Sequence, residues 1–236
     1  MLIFPHFTNS LNAVAHLFYP QLCAGCGNEL SGSGQVLCLR CLDEIPVTNF
    51  HLHAANPVEK IFWGRVAITA ATSHTYFTKD SMMQQLLHGL KYQGKKETGI
   101  FFGNKIGKAL MQSNRFNDLD AIIPVPLHPK KEKKRGYNQA AVIAEGISEK
   151  MNLPLLLSSL QRTGISETQT HKTRVERWNN IAGLFRVNNA NNIAGKHLLL
   201  VDDVITTGAT LEACSGELLK VEDVRVSIVT IAYASV

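Results

Sequence analysis

The sequence predicts an α/β fold: a small N-terminal zinc ribbon followed by a parallel sheet flanked by helices. Three observations predict it. Strand-like and helix-like segments alternate after residue 60, several of the strands are apolar throughout, and four cysteines crowd into the front of the chain. Strands apolar on both faces belong in a sheet covered on both sides, the parallel α/β arrangement. Of the 236 residues, 45% are apolar and 18% charged, which supplies a core and excludes disorder. Lys and Arg number 24 against 19 Asp and Glu; the net +5 suits phosphate-bearing ligands or nucleic acid but demands neither. No apolar run approaches the ~18 residues that span a bilayer. The N-terminal apolar stretches have no Lys or Arg ahead of them, unlike a signal peptide, so the expected location is cytoplasmic without membrane insertion.

Cys23, Cys26, Cys38 and Cys41 form the pattern C-x2-C-x11-C-x2-C. Each C-x2-C lets one tight turn aim two thiolates at one ion, and two such turns complete a tetrahedral all-sulfur site, which favours Zn2+. Two disulfides or four unrelated thiols are the alternatives; a cytosolic chain disfavours the first, and two paired knuckles disfavour the second. With four sulfurs bound, no position is open for catalysis, so the zinc is expected to be structural. Cys214 sits at an apolar position of a later helical pattern and reads as a core residue. The stretch Pro46–Lys60, with its two Pro and two Asn, reads as a linker, and His51 and His53 as solvated loop residues. The expected division is therefore 1–60, comprising an N-terminal helix, the four-cysteine ribbon and the linker, and 61–236 for the α/β domain.

RVAITAATSH, from Arg65, reads as a strand or a bent strand pair. Met83, Leu86, Leu87 and Leu90 recur at i, i+3, i+4, i+7, a helix capped by Asp80 or Ser81. A second helix is expected over 100–113, with Ile106 and Leu110 on one face. DAIIPVP is a short strand that two prolines stop. YNQAAVIAEGISEKM carries Ala140, Ile143 and Ile147 on one stripe and is helical; LPLLL reads as a short strand. After a polar segment over 161–180 come the strand HLLLVDD, the helix GATLEACSGELLK and the strand VRVSIVTIAYA.

The most informative stretch is LLLVDDVITTGAT, residues 198–210. An apolar strand runs out at Val201 into Asp202 and Asp203, and TTGAT then opens a helix. In parallel sheets, ligands bind where strands end and helices begin. Gly208 and its small neighbours let backbone N–H groups close around an anion at the helix N-terminus, with Thr206, Thr207 and Thr210 adding hydroxyls. Two carboxylates would repel a bare phosphate. They fit a ligand that presents phosphate on one side and sugar hydroxyls or Mg2+ on the other, as a phosphorylated ribose does. A helix-capping acidic pair is the plainer alternative. Gly94-x4-Gly99 lacks the Lys-Ser/Thr of a nucleotide-binding P-loop.

This loop resembles that of type I phosphoribosyltransferases, which bind phosphoribosyl pyrophosphate (PRPP). The chain as a whole resembles a narrower family, the ComF-type proteins linked to competence and DNA uptake. PQLCAGCG, HGLKYQGKK, IPVPLHPKKEKKRGYNQA, QRTGISETQTHKTRVERWNN and the acidic loop match that family in the same order.

The resemblance implies roles residue by residue. Asp202 and Asp203 hold the ribose hydroxyls. Thr206, Thr207, Gly208, Ala209 and Thr210 hold the 5′-phosphate. The turn Val125, Pro126, Leu127 faces the pyrophosphate, on which Mg2+ enters. Arg135 abuts the matching Gly-Tyr-Asn-Gln, while Lys130, Lys131, Lys133 and Lys134 either neutralise pyrophosphate, touch nucleic acid or form a solvated basic loop. Arg162 to Asn179 resembles a lid over PRPP, with Arg162, Gln169, Arg174 and Arg177 as clamps; its plainer alternative is a cover for the sheet edge. Lys91 reaches a phosphate or merely caps a helix. The implied activity is phosphoribosyl transfer to an unidentified acceptor. A non-catalytic competence factor that contacts single-stranded DNA or a helicase is the alternative.

Overall fold

A computed structural model of the chain describes residues 21–32, 34–164 and 183–234. It divides into two compact units, Met1–Ile45 and Pro46–Val236. The N-terminal helix expected before the first knuckle lies outside the described residues. Among the described residues, no helix is long and apolar enough to cross a membrane.

In the first unit, Leu22 and Glu29 form one antiparallel bridge around the first knuckle. The second knuckle straddles the start of a short helix, α1 (Leu39–Asp43), with Cys38 at its N-cap. The two knuckles, alike in cysteine spacing, thus have different backbones.

The second unit is built on four parallel strands: β1 (Ala70–Tyr76), β2 (Ala121–Pro124), β5 (His197–Ile205) and β6 (Arg225–Tyr233). Their order across the sheet is β1-β6-β5-β2. A separate antiparallel pair, β3 (Leu160–Arg162) and β4 (Phe185–Val187), lies apart from this sheet. Among its described residues the α-helices are α2 (Pro57–Lys60), α3 (Met82–Tyr92), α4 (Lys96–Met111), α5 (Pro129–Arg135), α6 (Gln139–Met151) and α7 (Ala209–Leu218).

Alternate strand residues feed two cores. Ala71, Ile123, Leu198, Leu200 and Ile228 meet Leu211, Cys214 and Leu218 of α7 together with Val58 and Phe62. The other face is covered by α4 and α6, which touch at glycines. A Cβ on Gly103 would lie 2.3 Å from the Ile143 carbonyl oxygen, and one on Gly146 would lie 2.5 Å from that of Ile100. Only residues without a side chain allow so close a crossing.

Several expectations change. Pro46–Lys60 is packed structure, not a linker, because Asn56 ties it down. Asn56 Oδ1 caps α2 by accepting from Val58 and Glu59, while its Nδ2 donates to the carbonyls of Phe50, His53 and Ala71 at 3.3, 3.0 and 2.8 Å. His51 is buried in this segment, whereas His53 is exposed. LPLLL forms no strand; it contributes a single parallel bridge, Leu155 to Ile122. Ser81, not Asp80, caps α3, accepting from Gln84 N at 3.3 Å. The expected strand from Arg65 begins only at Ala70, since 61–65 is a run of turns, and α4 starts four residues before the expected Ile100. The basic segment 130–135 is the exposed helix α5, started by the His128 side chain and Pro129 and ended by Gly136 at φ 81°.

Candidate functional site

β2 ends opposite Val201 while β5 and β6 run on, and the acidic pair lies just past that point. Contrary to expectation, β5 does not stop at Val201. Asp202 pairs in register with Thr230, and pairing continues to Ile205 opposite Tyr233. Residues adjacent in a strand leave on opposite faces. Asp203 meets Lys91 of α3, whose Nζ lies 3.0 Å from Oδ2. That buried oxygen makes no hydrogen bond of good geometry beside the ion pair. Asp202 Oδ1 accepts the Asp203 backbone N–H at 2.8 Å. Burial, reinforced by the Asp203 charge, pushes the Asp202 carboxyl up to about 7, although Lys91 and Arg162 pull the other way.

Beyond Ile205, Thr206 and Thr207 are exposed, and Gly208 takes φ 74° as the N-cap of α7. Ala209 and Thr210 open the ten-residue helix, whose N-terminus favours negative charge. Gly208 is closely backed: a Cβ there would lie 2.6 Å from Ile61 Cγ2 and 3.2 Å from Phe62 Cε1. Arg65 adds a clasp, its Nη1 donating to the carbonyls of Ile61 and Thr207, both at 3.0 Å, and its Nη2 pairing with Glu212. Ile61, Phe62 and Arg65 are supports that the sequence reading missed. The only sequence signal for them was a glycine placed where something must come close.

The Val125–Leu127 turn lies next to β5, since Val125 N donates to the Val201 carbonyl at 2.8 Å. Asn138 fixes it further: Nδ2 donates to the Val125 carbonyl while Oδ1 caps α6 at Ala140 N, both at 3.0 Å. The Tyr137 hydroxyl donates to the Leu90 carbonyl, so the same block holds the end of the helix that carries Lys91. Arg135 donates to Gln139 Oε1 at 2.7 Å and lies 5.1 Å from the Tyr92 ring centre. Arg162, expected in a lid, sits instead in β3, 5.5 Å from the Phe185 ring centre. Desolvation lowers its pKa, while Cys214 and Asp202 raise it. Gln169, Arg174 and Arg177 lie outside the described residues.

In the first unit, the sulfurs of Cys23, Cys26, Cys38 and Cys41 all lie within 4.8 Å of one another. The Cys26 and Cys38 sulfurs are 3.7 Å apart. A tetrahedral site with metal–sulfur bonds of ~2.3 Å sets its sulfurs ~3.8 Å apart. The four thiols therefore fit one metal ion, and Cys38 N already donates to Cys23 Sγ at 3.3 Å. Cys214 is buried in the α7 core, far in role from these four.

Residues 134–235 match the model of the phosphoribosyl transferase domain. Competence protein F of Haemophilus influenzae is 28% identical over 218 residues, covering 89% of this chain and 90% of the relative. The DNA utilization protein YhgH of Escherichia coli K12 is 25% identical over 203 residues, 84% of each chain. Competence protein ComFC of Bacillus subtilis is 28% identical over 157 residues, 66% of this chain and 61% of the relative.

Over most of its length the chain is similar to competence proteins of the ComF type.

The chain joins a four-cysteine cluster to a phosphoribosyltransferase-type α/β domain. The matched segment contains β5, the acidic pair and the loop to α7. Of the blocks that resemble ComF-type proteins, Tyr137 and Asn138 link the Lys91 helix to the turn beside β5.

Proposed function

We propose that this chain binds PRPP with Mg2+ at the end of β5 and transfers its phosphoribosyl group to an acceptor in a DNA-uptake pathway. One observation carries this reading: two carboxylates near the C-terminal end of β5 precede a left-handed glycine that opens a helix N-terminus. Asp202 and Asp203 would take the ribose hydroxyls, and 206–210 the 5′-phosphate. Lys91 and Arg162 supply positive charge where pyrophosphate departs, and such fixed charge lowers the barrier to a step that separates charge. Mg2+ would arrive with the pyrophosphate, its hard oxygen ligands coming from the substrate. Zn2+ would fill the four-cysteine cluster as a structural ion, and the protein would act in the cytoplasm as a zinc ribbon joined to a transferase domain.

Calorimetric titration of PRPP with Mg2+ into the zinc-loaded protein tests this. Micromolar binding, lost in the Asp202→Asn/Asp203→Asn variant, is expected. Equal binding by both proteins, or by neither, would refute the assignment of the loop.

A second reading, contact with single-stranded DNA or a helicase in a non-catalytic role, is favoured by the exposed helix α5. Lys130, Lys131, Lys133 and Lys134 all face solvent there, and Tyr92, 64% exposed, lies under Arg135. Cations around an exposed ring suit a nucleic-acid strand. Anisotropy titration of a labelled oligonucleotide at rising salt measures it; no binding at low salt would remove this reading.

A further inference from the structure

The cation beside Asp203 hangs from a helix end. Lys91 is the last residue but one of α3, and beyond Tyr92 the chain turns through Gln93 and the left-handed Gly94, φ 72°. The last four carbonyls of a helix have no partner within it, and helix ends fray. Leu90 owns one of these carbonyls, which belongs to the peptide unit that leads into Lys91. The Tyr137 hydroxyl donates to it, from a side chain only 8% exposed. Burial, with the Glu97 charge, raises the Tyr137 pKa, so the hydroxyl keeps the proton it donates. Lys96 Nζ, 4.9 Å from the ring centre, steadies the ring from α4.

The contacts run in a closed circuit. Val201 of β5 accepts from Val125 of the turn, and the Val125 carbonyl accepts from Asn138. Tyr137, next to Asn138 in the chain, grips the Leu90–Lys91 peptide. Lys91 returns to β5 at Asp203, its Nζ 3.0 Å from Oδ2. A closed circuit fixes the distance between its ends, whereas a lysine on a fraying helix end would sample many rotamers. We propose that Tyr137 is a positioning residue: its hydroxyl holds the Lys91 backbone so that the ammonium group stays over Asp203 and meets the ligand's phosphates already oriented. Its effect on PRPP rests on the reading above; its hold on Lys91 does not.

Two measurements on the full zinc-loaded chain test this, using Tyr137→Phe, which keeps the ring and removes only the hydroxyl. In the first, lysines are acetylated under native conditions and the rate at each is read by mass spectrometry. Tyr137→Phe is expected to raise the Lys91 rate about fivefold, the factor that one ordinary hydrogen bond contributes. Lys220, paired with Glu217 instead, should keep its parent rate. An unchanged Lys91 rate, or an equal rise at Lys220, would overturn the proposal. In the second, PRPP with Mg2+ is titrated by calorimetry into the parent, Tyr137→Phe, Lys91→Gln and the double variant. Tyr137→Phe should weaken binding about fivefold where Lys91 is present and leave it unchanged where Lys91 is replaced. The same loss in both backgrounds would overturn the proposal, since a merely structural hydroxyl would act without regard to Lys91. A raised Lys91 rate in a chain whose parent binds no PRPP would uphold the hold on Lys91 and remove the phosphoribosyl reading.

Discussion

The two ends of β5 handle buried polar groups in opposite ways. At the N-terminal end, His197 is fully buried and every one of its polar atoms is engaged. Its Nδ1 meets Asp118 Oδ1 at 2.9 Å, its Nε2 meets Ser227 Oγ at 2.8 Å, and its backbone N–H donates to Asp120 Oδ2 at 2.7 Å. Arg225 closes the network on Asp118 Oδ2 at 2.6 Å and, ahead of His197, holds that carboxyl below its ordinary range. The order Asp–His–Ser has the look of a nucleophilic triad, but Ser227 is fully buried within β6 and no substrate can reach it. At the C-terminal end, Asp203 has an ion pair without a good hydrogen bond, and Asp202 is pushed up to about 7. One end is satisfied and structural. The other is left wanting partners, the condition expected where a ligand completes the network.

Substitutions at the two ends should therefore fail differently. The largest effect is expected at the satisfied end: His197→Leu strands Ser227 and should cost ~2–4 kcal/mol, with PRPP affinity of the folded protein unchanged. Urea unfolding measures it, and a loss below ~1 kcal/mol would mean that the network contributes little.

Lys91→Gln leaves Asp203 buried beside no cation, and should cost ~1–3 kcal/mol, less than for a pair cut off entirely from water. Adding Asp203→Asn should recover most of that loss. Simple addition of the two single losses would break the inference that they act as a pair.

Asp202→Asn should do the reverse and stabilise. Asp202 titrates near 3.8 when unfolded and about 7 when folded, so between those values the folded state holds more protons and loses stability as pH rises. At pH 8 the Asn variant should gain ~1–2 kcal/mol, and the gap should close below pH 4. A gap independent of pH in paired urea melts would contradict this.

The smallest effect belongs to Arg225→Gln. Both Arg225 and Asp118 are half exposed, and solvent screening should limit the loss to ~0–1 kcal/mol by the same melts. A loss as large as that of His197→Leu would erase the distinction between buried and exposed members of the network.

Much of the second unit was legible because its signals are local. Apolar runs such as HLLLV mark strands covered on both faces, and the stripe through Met83 and Leu90 marks a helix. Asp202, Asp203 and Gly208 announced the candidate site through a few adjacent residues. The segment 46–60 misled because Pro and Asn usually signal loops, whereas Asn56 satisfies five backbone groups, among them the carbonyl of Ala71 in β1. Basic 130–135 misled because its helix depends on a cap before it and a left-handed glycine after it.

The sequence by itself determined the α/β class, the cysteine cluster and the acidic loop, since each depends on residue type at short spacing. Only the tertiary structure decided that Lys91 guards Asp203, that Arg65 clasps Thr207 across 142 positions of chain, and that Arg162 of β3 lies over Phe185. The physical reason is that pairing, burial and charge act through space, and local pattern carries no record of which distant side chain will arrive.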